Sequence, residues 1–133
     1  MIVELVTTGS ELLLGQIINT NSSYMARELN SMGFDVVYQT TVGDNRQRMR
    51  EVLEHALTRA DIVITTGGLG PTQGDITKEV SAAVFGRSLQ LDEACARHLR
   101  EQFAHWQRPM AENNLRQAMI PEQAHIFKNY AGT

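Results

Sequence analysis

Apolar positions along the chain alternate between two spacings, one suited to strands and one to helices. Ile2-Val3-Glu4-Leu5-Val6 is a short, β-branched run that predicts a strand, and the turn residues Thr8-Gly9-Ser10 end it. Met25, Leu29 and Met32 then recur at i, i+4 and i+7. That spacing predicts a helix opening near Asn19-Thr20-Asn21 and closing at Gly33, with its methionines on the core stripe. Phe34 to Val42 reads as a second strand. Met49, Val52, Leu53, Ala56, Leu57 and Ala60 form a helical face that Asp44 or Asn45 can cap. Asp61-Ile62-Val63-Ile64-Thr65-Thr66 follows without an outward polar position, as in a strand covered by helices on both faces of a parallel sheet. A helix from about Thr77 to Phe85, capped by Asp75 or Thr77, comes next. Another is capped by Asp92 and runs to Arg108-Pro109, with Cys95, Leu99, Phe103 and Trp106 in line, and a last short strand is expected at Ala124-His125-Ile126-Phe127. This alternation predicts an α/β fold with three layers, a mainly parallel sheet between helices. Ligands in such sheets bind where the loops gather, at the carboxyl ends of the strands.

Composition limits the function classes. The 133 residues, 42% hydrophobic and 20% charged, suffice for one domain with a core of its own, and residues 1–133 are read as a single domain. Twelve basic residues against fifteen acidic ones, with no basic block, give no sign of a nucleic-acid or anionic-membrane surface. No apolar run approaches the ~20 residues of a membrane span. The lone Cys95 cannot form an internal disulfide and is expected to pack in the core, so a reducing cytoplasmic location is expected. The four histidines lack the spacing of a zinc site, and no Ser-His-Asp or Cys-His pairing emerges.

Three strand-end loops carry the unusual residues: Thr8 to Gly15 with Asn19 to Asn21, Val42 to Asn45, and Thr66 to Thr77. In the third, Gly67, Gly68, Gly70 and Gly74 stand between a buried strand and a helix start, where backbone N–H groups can approach an anion such as phosphate. The competing reading is a glycine-rich turn that only reverses the chain. Asp75 at the mouth of this cradle would repel phosphate unless a divalent cation lay between them, which makes it a candidate Mg²⁺-type ligand. Asp44, Glu79 and Glu11 are carboxylates that neighbouring loops could add. Simple N-capping, at about 1 kcal/mol each, competes for Asp75 and Asp44. Asn19 and Asn21 could bond a sugar or base, or cap the helix they precede.

Taken together, Thr8-Gly9-Ser10-Glu11-Leu12-Leu13-Leu14-Gly15, Asn19-Thr20-Asn21, Val42-Gly43-Asp44-Asn45 and Thr66-Gly67-Gly68-Leu69-Gly70-Pro71-Thr72 closely resemble the amino-terminal domains of the competence/damage-inducible CinA family. Asp75-Ile76-Thr77-Lys78-Glu79, Asn113-Asn114, Gln117-Ala118, Ile120-Pro121 and Gly132-Thr133 continue the resemblance across nearly the whole chain. The wider group is the molybdopterin-binding domain family, shared with the molybdenum-cofactor adenylyltransferases. The resemblance implies a homodimer or homotrimer that hydrolyses ADP-ribose to AMP and ribose 5-phosphate with Mg²⁺, Mn²⁺ or Co²⁺. It further implies that Gly67, Gly68, Gly70 and Thr72 hold the diphosphate, that Gly9, Ser10, Glu11, Asn19 and Asn21 complete the ligand site, and that Asp75 and Asp44 serve the metal and its water. Where the family pattern reads x-Asp-Asp after Pro-Thr, this chain has Gln73-Gly74-Asp75, one carboxylate fewer. The alternative is therefore a catalytically impaired pterin- or nucleotide-binding module with a regulatory or oligomerising role. The family pattern also continues beyond Gly132-Thr133, so the chain is expected to stop short of the domain's end, before the deamidase domain that many members carry.

Overall fold

A computed structural model describes residues 1–132. Three parallel strands, β1 (Ile2–Thr8), β2 (Asp35–Val42) and β3 (Ile62–Thr66), lie in the order β2-β1-β3. The crossover from β1 to β2 carries α1 (Ser10–Leu13) and α2 (Thr20–Ser31), and that from β2 to β3 carries α3 (Arg46–Arg59). These crossovers run in opposite directions across the sheet, so right-handed connections place α2 and α3 on opposite faces. Burial along β1 fits this arrangement, since every residue from Val3 to Thr8 is buried, both odd and even. The α/β fold expected from the alternation is the one found.

On the α3 side, Val6 and Val42 pack with Met49, Leu53 and Ala56 of α3 and with Ile76 and Val80, which belong to or precede α4 (Thr77–Val84). On the other side, Asn19 both caps α2 and ties it to the sheet: its Oδ1 accepts from Ser22 N–H at 3.1 Å and its Nδ2 donates to Thr7 Oγ1 at 3.0 Å. β4 (Leu89–Leu91) and β5 (Met119–Pro121) form a small antiparallel ribbon. α5 (Glu93–His105) and a 3₁₀ helix over Glu112–Ala118 connect them.

Several expectations are corrected. The last strand is Met119–Pro121 rather than 124–127, because its partner β4, three residues long, was too short to give a periodic signal. Of the two caps expected for α3, Asp44 or Asn45, it is Asn45 that serves, accepting from Arg48 N–H at 3.0 Å. Neither Asp75 nor Thr77 caps α4; Ile76 stands at that position and its side chain makes no capping bond. Met32 is 63% exposed, past the end of the α2 stripe, and Leu57 and Trp106 also face outward. Asp92 does cap α5, accepting from Cys95 N–H at 2.8 Å. Cys95 is half-buried, and burial with the neighbouring Asp92 pushes its thiol pKa up, away from nucleophilic use.

A buried ion pair lies inside β1. Glu4 is 0% exposed, and its two oxygens accept from Arg59 Nε at 2.8 Å and Nη2 at 2.7 Å and from Thr40 Oγ1 at 2.6 Å. The Arg59 guanidinium also stacks over the Tyr38 ring, 4.0 Å from its centroid. One carboxylate thereby joins the end of α3 to two strands.

Candidate functional site

The parallel register sets the three loops on one edge, because β1, β2 and β3 all end there. The first two are stitched together. Gly9 N–H donates to Val42 O at 3.0 Å, Ser10 Oγ donates to Asp44 Oδ2 at 2.9 Å, and Asp44 N–H returns a bond to Ser10 Oγ at 3.2 Å. Asp44 is thus engaged with Ser10, at the end of β2. Glu11 folds back over Gly9, with Oε1 2.6 Å from where a Cβ on that glycine would sit, and Asn21 is exposed on the first turn of α2.

The glycine loop closes on β1 more tightly than its sequence alone shows. Gly67 has φ +86°, and a Cβ there would lie 2.2 Å from the Thr8 carbonyl oxygen, so only glycine brings this loop against the end of β1. Thr77, 1% exposed, locks the approach: its Oγ1 donates to Gly67 O at 2.7 Å and lies 3.2 Å from the Thr8 hydroxyl, while its N–H donates to Gly68 O at 3.1 Å. Thr77→Val keeps the shape but leaves Gly67 O without its hydroxyl partner. It is expected to lower stability by about 1–3 kcal/mol, read in urea unfolding, with Thr77→Ser restoring part of the loss.

Beyond this lock lies a cavity of about 150 Å³ whose walls include Gly68, Gly70, Asp75, Lys78, Glu79 and Arg116. Asp75 turns back onto the loop. Its Oδ2 accepts from Thr72 N–H at 2.9 Å and Thr72 Oγ1 at 2.5 Å, and the Gly70 N–H also points to the carboxylate. Burial pushes the Asp75 pKa up, but these bonds and the nearby Arg116 outweigh it, and the group lies below the usual carboxylate range. Two of the amides that could cradle an anion therefore already face one, fixed and ionised.

Arg116 and Lys78 are the cations of this cavity, and the reading of the loops passed over both as site residues. Arg116 comes from the 3₁₀ helix and donates to Thr72 O at 2.6 Å, Pro71 O at 3.3 Å and Glu79 Oε1 at 2.6 Å, spanning the loop from below. Lys78 Nζ donates to Arg116 O at 2.8 Å and Gln117 O at 3.0 Å, and burial pushes its pKa down. Arg116 stands more than forty residues from the glycines, and no local pattern announces it. Glu79 is taken by two guanidiniums, Arg116 and Arg46, with Arg116 the larger cause of its lowered pKa.

That pairing bears on metal binding. Among the described residues no group of three or more His, Cys, Asp or Glu stands close enough to hold an ion. With Glu79 held by arginines, a cation here would have one protein carboxylate, Asp75, and would complete its shell with phosphate oxygens and water. Such a donor set fits Mg²⁺, which keeps much of its water, better than a structural ion. Asp44 stands apart from this cavity. Its strand and β3 flank β1 on opposite sides, two strand spacings or ~10 Å from one another.

Residues 4–129 match the family model described as "Probable molybdopterin binding domain". The chain belongs to this family. It is 53% identical over 133 residues to a putative competence-damage inducible protein of Symbiobacterium thermophilum, covering 100% of this chain and 31% of that protein. The chain spans about a third of the length of the curated relatives it matches. Among solved structures, the protein CinA of Thermoplasma acidophilum, of unknown function, superposes with a TM-score of 0.90 at 28% identity, over 100% of this chain and 78% of that one. The tungsten cofactor synthesizing protein MoaB of Pyrococcus furiosus gives a TM-score of 0.62 at 25% identity, over 79% of this chain and 66% of that one. Among the described residues of this molybdopterin-binding-family domain, no helix is long and apolar enough to cross a membrane.

Proposed function

We propose that this domain binds the diphosphate of a nucleotide at the glycine loop and, with a divalent cation, hydrolyses the phosphoanhydride of ADP-ribose or a related nucleotide sugar to AMP and ribose 5-phosphate. The observation that carries this reading is the placement of an ionised carboxylate, two basic side chains and glycine backbone around one cavity at the carboxyl edge of the sheet. Asp75 would hold the cation against the phosphates. Arg116 and Lys78 would add positive charge to the same cavity, and Gly68 leaves backbone close to the ligand. When bound, the cation would neutralise the diphosphate and lower the pKa of a coordinated water. Asp44, on the neighbouring loop, would serve the far end of the ligand or position water there. The homodimer or homotrimer and the choice of Mg²⁺, Mn²⁺ or Co²⁺ belong to the same proposal.

AMP release from ADP-ribose by the purified chain with each cation tests it. Gly74 supplies a second arm. A Cβ there meets one described heavy atom within 4 Å, Thr72 Oγ1 at 3.8 Å, and the backbone is outside the left-handed range. Gly74→Asp should therefore fold normally, tighten the cation by adding a carboxylate beside Asp75, and raise AMP release at limiting cation about tenfold or more. A folded parent and a folded Gly74→Asp that both bind the nucleotide without turnover would favour the binding module. The specific observation on that side is that Asp75 already occupies the amides of Gly70 and Thr72.

A further inference from the structure

The parallel sheet ends at β2, which among the described residues has one ladder partner, β1. Its eight residues contain no Lys and no Pro, and their one charge, Asp35, stands at the very start. Proteins commonly guard such an edge, because its unpaired N–H and C=O groups are a template for another strand. One bond tells which groups are free. Gly9 N–H donates to Val42 O, so Val42, and by alternation Thr40 and Tyr38, turn their backbone groups towards β1. Those of Gln39 and Thr41 therefore face outward. Beside this edge lies a cavity of about 430 Å³, walled by Thr40, Thr41 and Gly43 and, from α3, by Arg48, Val52 and His55. Arg48 is exposed, and its guanidinium has no partner among the described residues. Asp35, at the other end of the strand, has a side chain 76% exposed, with the amino terminus 3.9 Å away. The register shift between Val3 and Glu4 sets Asp35 opposite Ile2 and Tyr38 opposite Glu4. Asp35 thus shares a face of the sheet with Tyr38, which is the α3 face, since Arg59 lies over the Tyr38 ring.

We propose that β2 is the seam of a homodimer, pairing antiparallel with β2 of a second copy about a twofold axis at Thr40. In this register Gln39 exchanges backbone bonds with Thr41 of the partner subunit, and Thr41 with the partner's Gln39. The axis also carries each Asp35 to the far end of the other strand, opposite Asn45 and on the α3 face, where Arg48 is open. Opposite charges at the two ends of one strand are self-complementary only under such a twofold. The operation closes on itself, so pairing stops at two copies. β3, the other edge of this sheet, offers five residues against eight. The seam gives the homo-oligomer of the proposed function a surface and a stoichiometry, and it rests on no statement about the ligand.

Sedimentation equilibrium of the purified chain across micromolar concentrations tests it, and the expected species is a dimer. Arg48→Asp and Asp35→Arg, both at exposed positions, should each raise the dimer Kd about a hundredfold or more, because each breaks two ion pairs and sets like charges together. The double variant, with the charges exchanged, should recover most of that loss. Gln39→Pro removes an N–H that faces outward, so the β1 ladder keeps its bonds and the urea midpoint of the monomer stays near the parent's while dimerisation is lost. Should that proline disturb the fold, the charge exchange still decides. A parent that stays monomeric, a trimer, a dimer indifferent to Gln39→Pro in folded protein, or a double variant no better than the single ones overturns the seam. AMP release from ADP-ribose, assayed on the same samples, reports separately on the nucleotide site, so either reading can fail while the other stands.

Discussion

Arg59→Met is expected to unfold this domain at markedly lower denaturant than the parent and to reverse how its stability responds to acid. The reason lies at Glu4, whose carboxylate is fully buried in β1 and receives both of its strongest bonds from Arg59. Removing the guanidinium leaves an uncompensated charge on Glu4 at a dry position, a loss of about 3–5 kcal/mol at neutral pH. A domain of this size has a total stability of roughly 5–15 kcal/mol, so the change is large. In the parent the bond from Arg59, opposed by burial and aided by Thr40, holds the Glu4 pKa below its ordinary value. The stability this group contributes is therefore present at neutral pH and lost as pH falls through the folded pKa. In the variant burial acts with less opposition and raises the Glu4 pKa. The variant is then best served below the unfolded pKa and loses stability as pH rises through the raised folded value. Urea midpoints should differ most near pH 7 and converge towards pH 4. A gap of constant size across that range would mean that Arg59 acts through its packing on Tyr38 rather than through Glu4.

The same pair shows where the sequence was legible and where it was not. Periodicity located β1, α3 and β3 because their apolar positions face a core over several turns or a whole strand, as Met49, Leu53 and Ala56 do. Glu4 sits within such an apolar run and was read as part of the strand, since its partner Arg59 lies 55 residues away. Arg116 was invisible for the same reason: the loop it grips, at Pro71 and Thr72, is brought to it only by the folded chain. Local chemistry was better placed at Asn19 and Asp92, whose caps need only the next three residues. It misled at Asp75, where an Asp before a helix suggests a cap yet the carboxylate turns back onto Thr72. The glycine loop was half legible. Its conformational need was clear, but the tight contact of Gly67 with Thr8, which makes that glycine a requirement of the fold, is a tertiary fact.

Asp75→Asn separates a carboxylate that serves a cation from one that only braces its loop, and it should reduce cation-dependent AMP release about 100-fold or more while leaving the fold intact. The amide keeps an oxygen in the position that accepts from Thr72 N–H and Thr72 Oγ1, so the turn retains those bonds. What it loses is the charge. Without a cation, Asp75 repels phosphate across a small cavity, and its neutral replacement should bind pyrophosphate more tightly than the parent in the presence of a chelator. With Mg²⁺ the order inverts, because the parent gains an ionic bridge that the amide cannot form. The reversal of rank between chelator and Mg²⁺ is the decisive readout, and it does not depend on turnover. If Asp75→Asn binds pyrophosphate better under both conditions, no cation bridges Asp75 to the ligand, and the carboxylate is a brace that Arg116 and the loop amides neutralise. Because its pKa is held below the usual carboxylate range, the parent's Mg²⁺-supported binding should persist at mildly acidic pH and weaken only as the carboxylate is protonated.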